Sequence, residues 1–257
     1  MNGSRANSNA PKDAFQDYDI VYLVTDLDSF VSDNSWIDVF GERMIMQMPE
    51  ADSSVVYLMQ FTDGNRIDLT FAPVSETHAR CTEDKLTIVL LDKDDSLPVL
   101  PPPTDEDHWI KPPSAQAYDE CCNEFWWVAP YVAKGLWRCE ILYAKWHLDS
   151  IAREMLLTML EWEAGIRTDF SVSMGKCRKY LQAHLPEERW QALLLTYADG
   201  SYEATWNALF AACNLFRETA KSVGAHFGYD YSAEDDLRVS EHLKRVRGSA
   251  EHIAERE

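Results

Sequence analysis

The sequence has none of the cysteine and histidine patterns that build zinc sites or disulfide frameworks. Its six cysteines form no CxxC pair, and its seven histidines form no HExxH or similar cluster. It also has no apolar run near the roughly 20 residues that span a bilayer, and its first residues show no basic region followed by an apolar one. We therefore predict reduced, mostly structural thiols in a cytoplasmic protein that does not bind membranes.

Basic residues are also few, with 24 Lys and Arg against 43 Asp and Glu and a net charge of −19. This charge repels a phosphate backbone and argues against a nucleic acid partner. It suits a cationic ligand, although acidity also keeps a protein soluble without any further role. Apolar residues are plentiful, at 46% with 12% aromatic, which excludes general disorder. A length of 257 residues suits one large or two modest domains.

The first hundred residues carry the pattern of β-strands. Two apolar, β-branched runs, Val55–Phe61 and Arg66–Val74, flank an Asp-Gly pair, which is a strong hairpin signal. The runs Ile20–Val24 and Leu86–Leu91 predict two more strands. This part of the chain therefore predicts a sheet.

Proline marks a change of pattern, since six of the eleven prolines fall between Pro98 and Pro113. A segment this rich in proline forms neither helix nor inner strand and favours an extended linker. Beyond it, apolar residues recur at helical spacings. The predicted helices are residues 115–127, 133–165, 175–184, 187–197, 202–227 and 235–246. We predict an α+β protein with a mixed α/β domain over residues 1–97, a linker over 98–114, an α-helical domain over 115–247 and a polar tail over 248–257.

Three aspartates and an upstream Gly-Ser pair form the strongest chemical signal. Asp17 and Asp19 enter the first strand on one face, where two carboxylates repel unless a cation lies between them. Asp68 lies mid-strand, opposite the apolar face, where a lone acid is unexpected. Gly3 and Ser4 offer a close-approach backbone and a hydroxyl that suit phosphate oxygens. The set predicts a nucleotide site with Mg²⁺ held by the three acids, although Asp-x-Asp pairs also occur in ordinary turns.

Longer strings around these residues resemble one enzyme family, the aminoglycoside 6-adenylyltransferases, which inactivate streptomycin. The Gly-Ser and Asp-x-Asp portion alone is shared by the whole nucleotidyltransferase superfamily, whereas the longer strings are far more specific. These strings are Gly3–Asn7, Phe15–Val21, Trp36–Arg43, Phe61–Leu69, Asn123–Trp127, Gly175–Tyr180 and Phe227–Tyr231.

The resemblance implies a nucleotidyltransferase domain and a helical domain, with ATP and the aminoglycoside bound between them. Asp17 and Asp19 would hold Mg²⁺, and Asp68 would be a third metal ligand, the general base, or both. Gly3 and Ser4 would contact the triphosphate. The 6-hydroxyl of streptomycin would attack the α-phosphorus of ATP and release pyrophosphate. An acidic, tryptophan-rich site would complement the guanidinium groups of the drug.

The family carries a helix and a first sheet strand ahead of Gly3, and this sequence shows neither. The resemblance therefore implies lost hydrogen-bond partners beside the strand that carries Asp19. We expect a chain extended upstream to be better folded and more active.

Candidate drug contacts also follow from the resemblance, and each has a competing structural role. They are Glu124, Trp126, Trp127 and Asp149. A helical tryptophan usually belongs to a core because of its large apolar area, and a lone helical acid is usually solvated.

Three basic residues are candidates for phosphate contacts. Lys176 and Lys179 lie three positions apart, so on a helix they would share a face and contact the departing pyrophosphate, or form an exposed basic helix start. Arg5 would assist the triphosphate beside Ser4, or be a surface charge.

Three functions remain open at this point. The first is an aminoglycoside adenylyltransferase acting as a monomer. The second is a nucleotidyltransferase for another small alcohol or a protein side chain, against which the long agreement outside the Gly-Ser and Asp-x-Asp core argues. The third is a catalytically impaired or silent nucleotide-binding protein.

Overall fold

The computed structural model describes residues 1–254, with side chains through residue 249. The chain forms two compact units, unit 1 over Met1–Asp107 and unit 2 over His108–Glu257. The boundary lies inside the proline-rich segment, ten residues beyond the predicted end of the first domain. The reason is that the segment folds back onto unit 1, where the amide groups of Asn7 and Asn9 donate to the carboxylate of Asp105.

Unit 1 is built on a four-stranded sheet. The strands are β1 Tyr18–Val24, β2 Arg43–Gln47, β3 Val55–Phe61 and β4 Arg66–Pro73, in the order β1-β4-β3-β2. β1 runs parallel to β4, and the other pairs are antiparallel. The Asp-Gly hairpin is confirmed between β3 and β4, where residues 62–65 form the loop and Gly64 takes a φ of 90° that favours glycine.

One face of this sheet carries the core of unit 1. Tyr57 and Phe61 of β3 and Leu69 and Phe71 of β4 are fully buried, because every second residue of a strand points to the same side. Phe30 stacks on Phe71 with ring centroids 4.5 Å apart. On β4 the opposite face carries the polar residues Arg66, Asp68 and Thr70. Two short helices, α1 Asp28–Val31 and α2 Thr77–Thr82, complete the unit.

The edge of β1 is partly paired. The amide of Asn2 donates to the carbonyl oxygen of Asp19 at 2.9 Å, and Asn2 also bridges Thr87. This bridge at Thr87 replaces the predicted strand over Leu86–Leu91, which was wrong. The local reason is that Asp84 caps the turn there, accepting from the amide of Leu86 and the hydroxyl of Thr87.

Unit 2 is α-helical. None of the helices within residues 1–254 is long and apolar enough to cross a membrane. A π-helical turn, His147–Ala152, joins the fourth and fifth helices. The helices are α3 Ala115–Trp137, α4 Ile141–Trp146, α5 Arg153–Arg167, α6 Leu181–His184, α7 Glu187–Leu194, α8 Tyr202–Phe227 and α9 Ala233–Ala254.

Several predicted helix boundaries were wrong, including the end of α7, which lies at Leu194 instead of residue 197. The break expected after Trp127 does not occur, and α3 runs through Pro130 to Trp137, because the buried residues on both sides of the proline outweigh one lost hydrogen bond. The chain turns instead at Cys139, which has a φ of 58°. The predicted polar tail is helical as far as Ala254, since a single Gly248 is too small a penalty to end a helix. Residues 255–257 lie outside the described part of the chain.

The core of unit 2 lies between α3, α5 and α8. Phe125 of α3 stacks flat on Phe216 of α8, with ring centroids 3.9 Å apart. Helix α9 is tied to α8 by Arg217, whose guanidinium donates to both carboxylate oxygens of Asp236, and Tyr231 donates to the same carboxylate. Unit 2 therefore combines a stacked apolar centre with a partly buried ion pair that joins α8 to α9.

Phe125→Ala should lower the free energy of unfolding of unit 2 by about 3–5 kcal/mol, because it removes a fully buried ring and leaves a cavity. Urea unfolding followed by hydrogen exchange of α3 amides measures this. Leu142→Ala is the matched control, since Leu142 is 83% exposed and its loss should change the free energy by less than about 0.5 kcal/mol. Equal losses in the two variants would contradict the assignment of this core.

Candidate active site

Strands β1 and β4 place two of the predicted acids side by side. Asp19 and Asp68 are register partners in the parallel pair, which sets their backbones about 4.8 Å apart. Asp17 lies one residue before β1 begins. The pairing of the two strands therefore brings together acids that are 49 positions apart in the sequence.

Arg66 is the cation that faces these acids, and the sequence analysis missed it. Its Nε donates to Oδ1 of Asp68 at 2.9 Å, and its Nη2 donates to Oδ2 at 2.8 Å. The Nε also lies 3.6 Å from Oδ2 of Asp17. The hydrogen bonds to Asp68, with the charges of Asp68, Asp17 and Asp19, raise the pKa of Arg66. A period-two pattern from Asp68 to Arg66 could have shown that the two share a face.

Gly3 lies directly against Asp19. Its φ is 71°, and a Cβ at this position would lie 2.5 Å from Oδ2 of Asp19. Gly3 begins a short 3₁₀ turn, Gly3–Arg5, that includes Ser4. The close approach fits the predicted role of the glycine, because only a residue without a side chain lets this turn meet the carboxylate.

Arg5 binds the backbone immediately before β1. Its Nε donates to the carbonyl oxygen of Asp17 at 3.0 Å, and its Nη2 donates to that of Gln16 at 2.8 Å. The guanidinium also stacks 3.5 Å from the centroid of the Tyr18 ring. A direct contact with a triphosphate would require Arg5 to give up these contacts, so in this structure it positions the backbone of Asp17.

The donor set suits a divalent metal, but the acids are not yet gathered around one. Within the described residues, no group of three or more His, Cys, Asp or Glu side chains is arranged to hold a metal ion. Asp17, Asp19 and Asp68 nevertheless all act electrostatically on the Arg66 guanidinium and supply hard carboxylate oxygens, the ligands that Mg²⁺ prefers. A metal that uses Asp68 would have to share that carboxylate with Arg66 or displace the arginine from it.

In unit 2 the two neighbouring tryptophans have different environments. Trp126 is buried, and its Nε1 donates to the hydroxyl of Tyr231 at 3.1 Å, so it is part of the core. Trp127 is 64% exposed. Of the two predicted contacts, only Trp127 presents its ring to solvent.

Glu124 lines a groove of about 440 Å³ between α3 and α5. Glu120 and Asn123 lie on the same wall, and Thr158 and Trp162 form the other. Two carboxylates and an indole ring in one groove match a guanidinium or ammonium group.

Asp149 lies in the π-helical turn and already has two cationic partners. Its carboxylate lies 2.9 Å from Nζ of Lys145 and 2.9 Å from Nη2 of Arg153. Arg153 is itself buried and also donates to Thr196. A structural role therefore accounts for the contacts of Asp149.

Lys176 and Lys179 lie on a loop, because the helix predicted over 175–184 forms only at Leu181–His184. Gly175, Cys177 and Arg178 all have φ between 56° and 67°, which interrupts any helix before α6 begins at Leu181. The two lysines therefore do not share a helix face.

Arg178 anchors this loop to α5, and the sequence analysis also missed it. Its guanidinium donates to Glu154, to Glu161 and to the hydroxyl of Thr158. These partners lie 17 to 24 positions away, so no local pattern reveals them.

A family model described as streptomycin adenylyltransferase matches residues 1–246. The chain belongs to the streptomycin adenylyltransferase family. This confirms the resemblance seen in the sequence and makes the chain a nucleotidyltransferase.

Curated relatives and a solved structure agree with this family. An aminoglycoside 6-adenylyltransferase from Campylobacter jejuni is 42% identical over 254 residues, which cover 96% of this chain and 88% of the relative. An aminoglycoside 6-adenylyltransferase from Bacillus subtilis (strain 168) is 41% identical over 92% of this chain and 86% of the relative. The crystal structure of an aminoglycoside 6-adenyltransferase from Bacillus subtilis is 38% identical, with a TM-score of 0.53 and coverage of 91% and 89%. The predicted α+β fold class is confirmed.

Gly3→Ala should lower the turnover of this adenylyltransferase at least about tenfold, because the new methyl group would collide with the Asp19 carboxylate and displace it. Pyrophosphate release with streptomycin measures the rate. Gly64→Ala is the matched control. It has a comparable φ of 90° but nothing within 4 Å of the added Cβ, so it should cost about 1 kcal/mol of stability and leave turnover unchanged. Equal turnover in the two variants would contradict a role for the Gly3 contact.

Proposed function

We propose that this enzyme transfers AMP from ATP to the 6-hydroxyl of streptomycin and releases pyrophosphate, which inactivates the drug and confers resistance. The observation that supports this proposal is the group of Asp17, Asp19 and Asp68 beside the Gly3 turn. The named activity of the relatives supplies the substrate class. The proposal includes action as a monomer in the cytoplasm, where ATP is available.

In this mechanism the carboxylates would act on ATP, through the metal they hold, and on the attacking hydroxyl of the drug. Mg²⁺ bound by Asp17, Asp19 and Asp68 would neutralise phosphate charge as the transfer proceeds. Asp68 accepts the proton of the attacking hydroxyl, whose oxygen forms a bond to the α-phosphorus while the bond to the pyrophosphate oxygen breaks. The Gly3–Ser4 turn, with its backbone close to Asp19, would offer backbone amides and a hydroxyl to the triphosphate.

Unit 2 carries the predicted contacts to the drug. The groove that holds Glu124 offers a second carboxylate, Glu120, and the ring of Trp162 to one guanidinium group of streptomycin. Trp127, exposed one helical turn after Glu124, adds an aromatic face. The contact of Lys176 and Lys179 with the departing pyrophosphate is still a prediction.

Asp17→Asn should lower streptomycin-dependent pyrophosphate release from ATP and Mg²⁺ by at least about a hundredfold, because it removes one charged oxygen donor from the site. Asp52→Asn, an exposed aspartate ahead of β3, is the matched control and should release pyrophosphate at the normal rate. Spectinomycin and kanamycin should support no release. Release that is independent of the drug, or insensitive to Asp17→Asn, would remove the catalytic proposal. Streptomycin binding without turnover would favour a silent protein.

Glu124→Gln should raise the KM for streptomycin about tenfold and leave kcat nearly unchanged, because it removes a charge that binds the drug before and during transfer alike. Steady-state kinetics with varied streptomycin at saturating ATP measures both constants. The control is Glu188→Gln, an exposed glutamate in the first turn of α7, which should change neither constant. A fall in kcat at constant KM would place Glu124 at the reacting groups instead of the drug groove.

A further inference from the structure

Arg66 occupies the position in unit 1 where the predicted metal chemistry needs free carboxylates. Both oxygens of Asp68 accept hydrogen bonds from its guanidinium, at 2.9 and 2.8 Å. The planar fork of an arginine matches a carboxylate in this bidentate geometry and makes one of the stronger side-chain pairs. Any cation that uses Asp68 must therefore share it with Arg66 or replace it.

The charges around Arg66 explain why it takes this position. Asp19 and Asp68 are register partners, and Oδ2 of Asp17 lies 3.6 Å from Nε of Arg66, so three like charges in one region raise one another's energy. One guanidinium offsets part of that repulsion, and its side chain is 41% exposed, so it has room to move. Both residues lie on β4, but the side chain of Asp68 is only 19% exposed. The longer and more exposed side chain of Arg66 is therefore the one that can change partners without moving the strand.

We propose that Arg66 is an internal counter-ion that keeps the three aspartates together in the free enzyme and competes with the divalent metal. When ATP binds, its triphosphate offers Arg66 a second anionic partner, to which a guanidinium also binds bidentately. The arginine then leaves Asp68 available, so that nucleotide and metal favour each other's binding. Arg66 is in this sense a positioning residue. The inference rests on the proposed function, because it assumes the proposed metal site. It adds a reason why the metal would use Asp68 once ATP has bound.

Arg66→Gln should shift two affinities in opposite directions. Mn²⁺, used alone as the probe and measured by calorimetry on the whole chain, should bind about tenfold tighter, the order expected for removal of one unit of positive charge beside an exposed site. ATP measured in EDTA, without any metal, should bind about tenfold weaker because its arginine partner is lost. A general structural defect would instead weaken both ligands.

Three further variants make the result specific. Arg66→Lys keeps the charge and should leave Mn²⁺ affinity within about threefold of the wild type. Arg43→Gln is the matched control, since Arg43 also pairs with an aspartate in unit 1, with its Nε 2.8 Å from Asp38, and both affinities should stay unchanged. Asp68→Asn should weaken Mn²⁺ binding, which ties the signal to the three aspartates.

Mn²⁺ affinity that is unchanged or weaker in Arg66→Gln would overturn the inference, as would the absence of Mn²⁺ binding from both the wild type and this variant. If the wild type still adenylylates streptomycin in either case, the inference alone fails. If Asp17→Asn keeps full turnover, the proposed function fails whatever the Mn²⁺ titrations show.

Discussion

The parallel pairing of β1 with β4 is the constraint on which the candidate active site depends. Its register sets Asp19 beside Asp68, and the apolar residues of β4 keep that register because Leu69 and Phe71 must face the core. A slip of one residue would turn Asp68 into the core and Phe71 into solvent. The same burial that stabilises unit 1 therefore fixes which acids meet.

Arginine has a consistent role in this acidic protein. With 43 acidic against 24 basic residues, close carboxylates are common. Arg66 and Arg178 each lie near two acids, Asp17 and Asp68 for the first and Glu154 and Glu161 for the second, and Arg217 binds Asp236. The role of each arginine depends on how far its ion pair with the carboxylate is exposed to solvent. Arg217 holds a carboxylate with 6% of its side chain exposed and ties two helices, whereas Arg66 is open to solvent and has room to exchange partners.

Much of the fold was predictable because apolar residues recur along the chain at the same spacing as the buried positions of its strands and helices. The hairpin of β3 and β4 and the whole of α8 follow from apolar residues at spacings of two and of three to four. Strand β2 was not predicted, since Met44 and Ile45 are both exposed and show no alternation. The loop around Cys177 is hard to tell from a helix in the sequence because two of its positive-φ residues, Cys177 and Arg178, are not glycines, and side-chain type gives no sign of that conformation.

Within the site, the sequence could identify the acids but not whether a metal ion or an arginine offsets their charge. Asp68 stands out because a charged residue is unusual in mid-strand, and Asp17 and Asp19 stand out by their spacing. Repulsion among them requires a cation, and the sequence offers two solutions, a bound metal or a neighbouring arginine. Arg66 is two positions from Asp68 and shares its face, so local geometry satisfies the arginine solution without any ligand. The choice between the two is then an equilibrium that a ligand's charge can shift, which no residue pattern encodes.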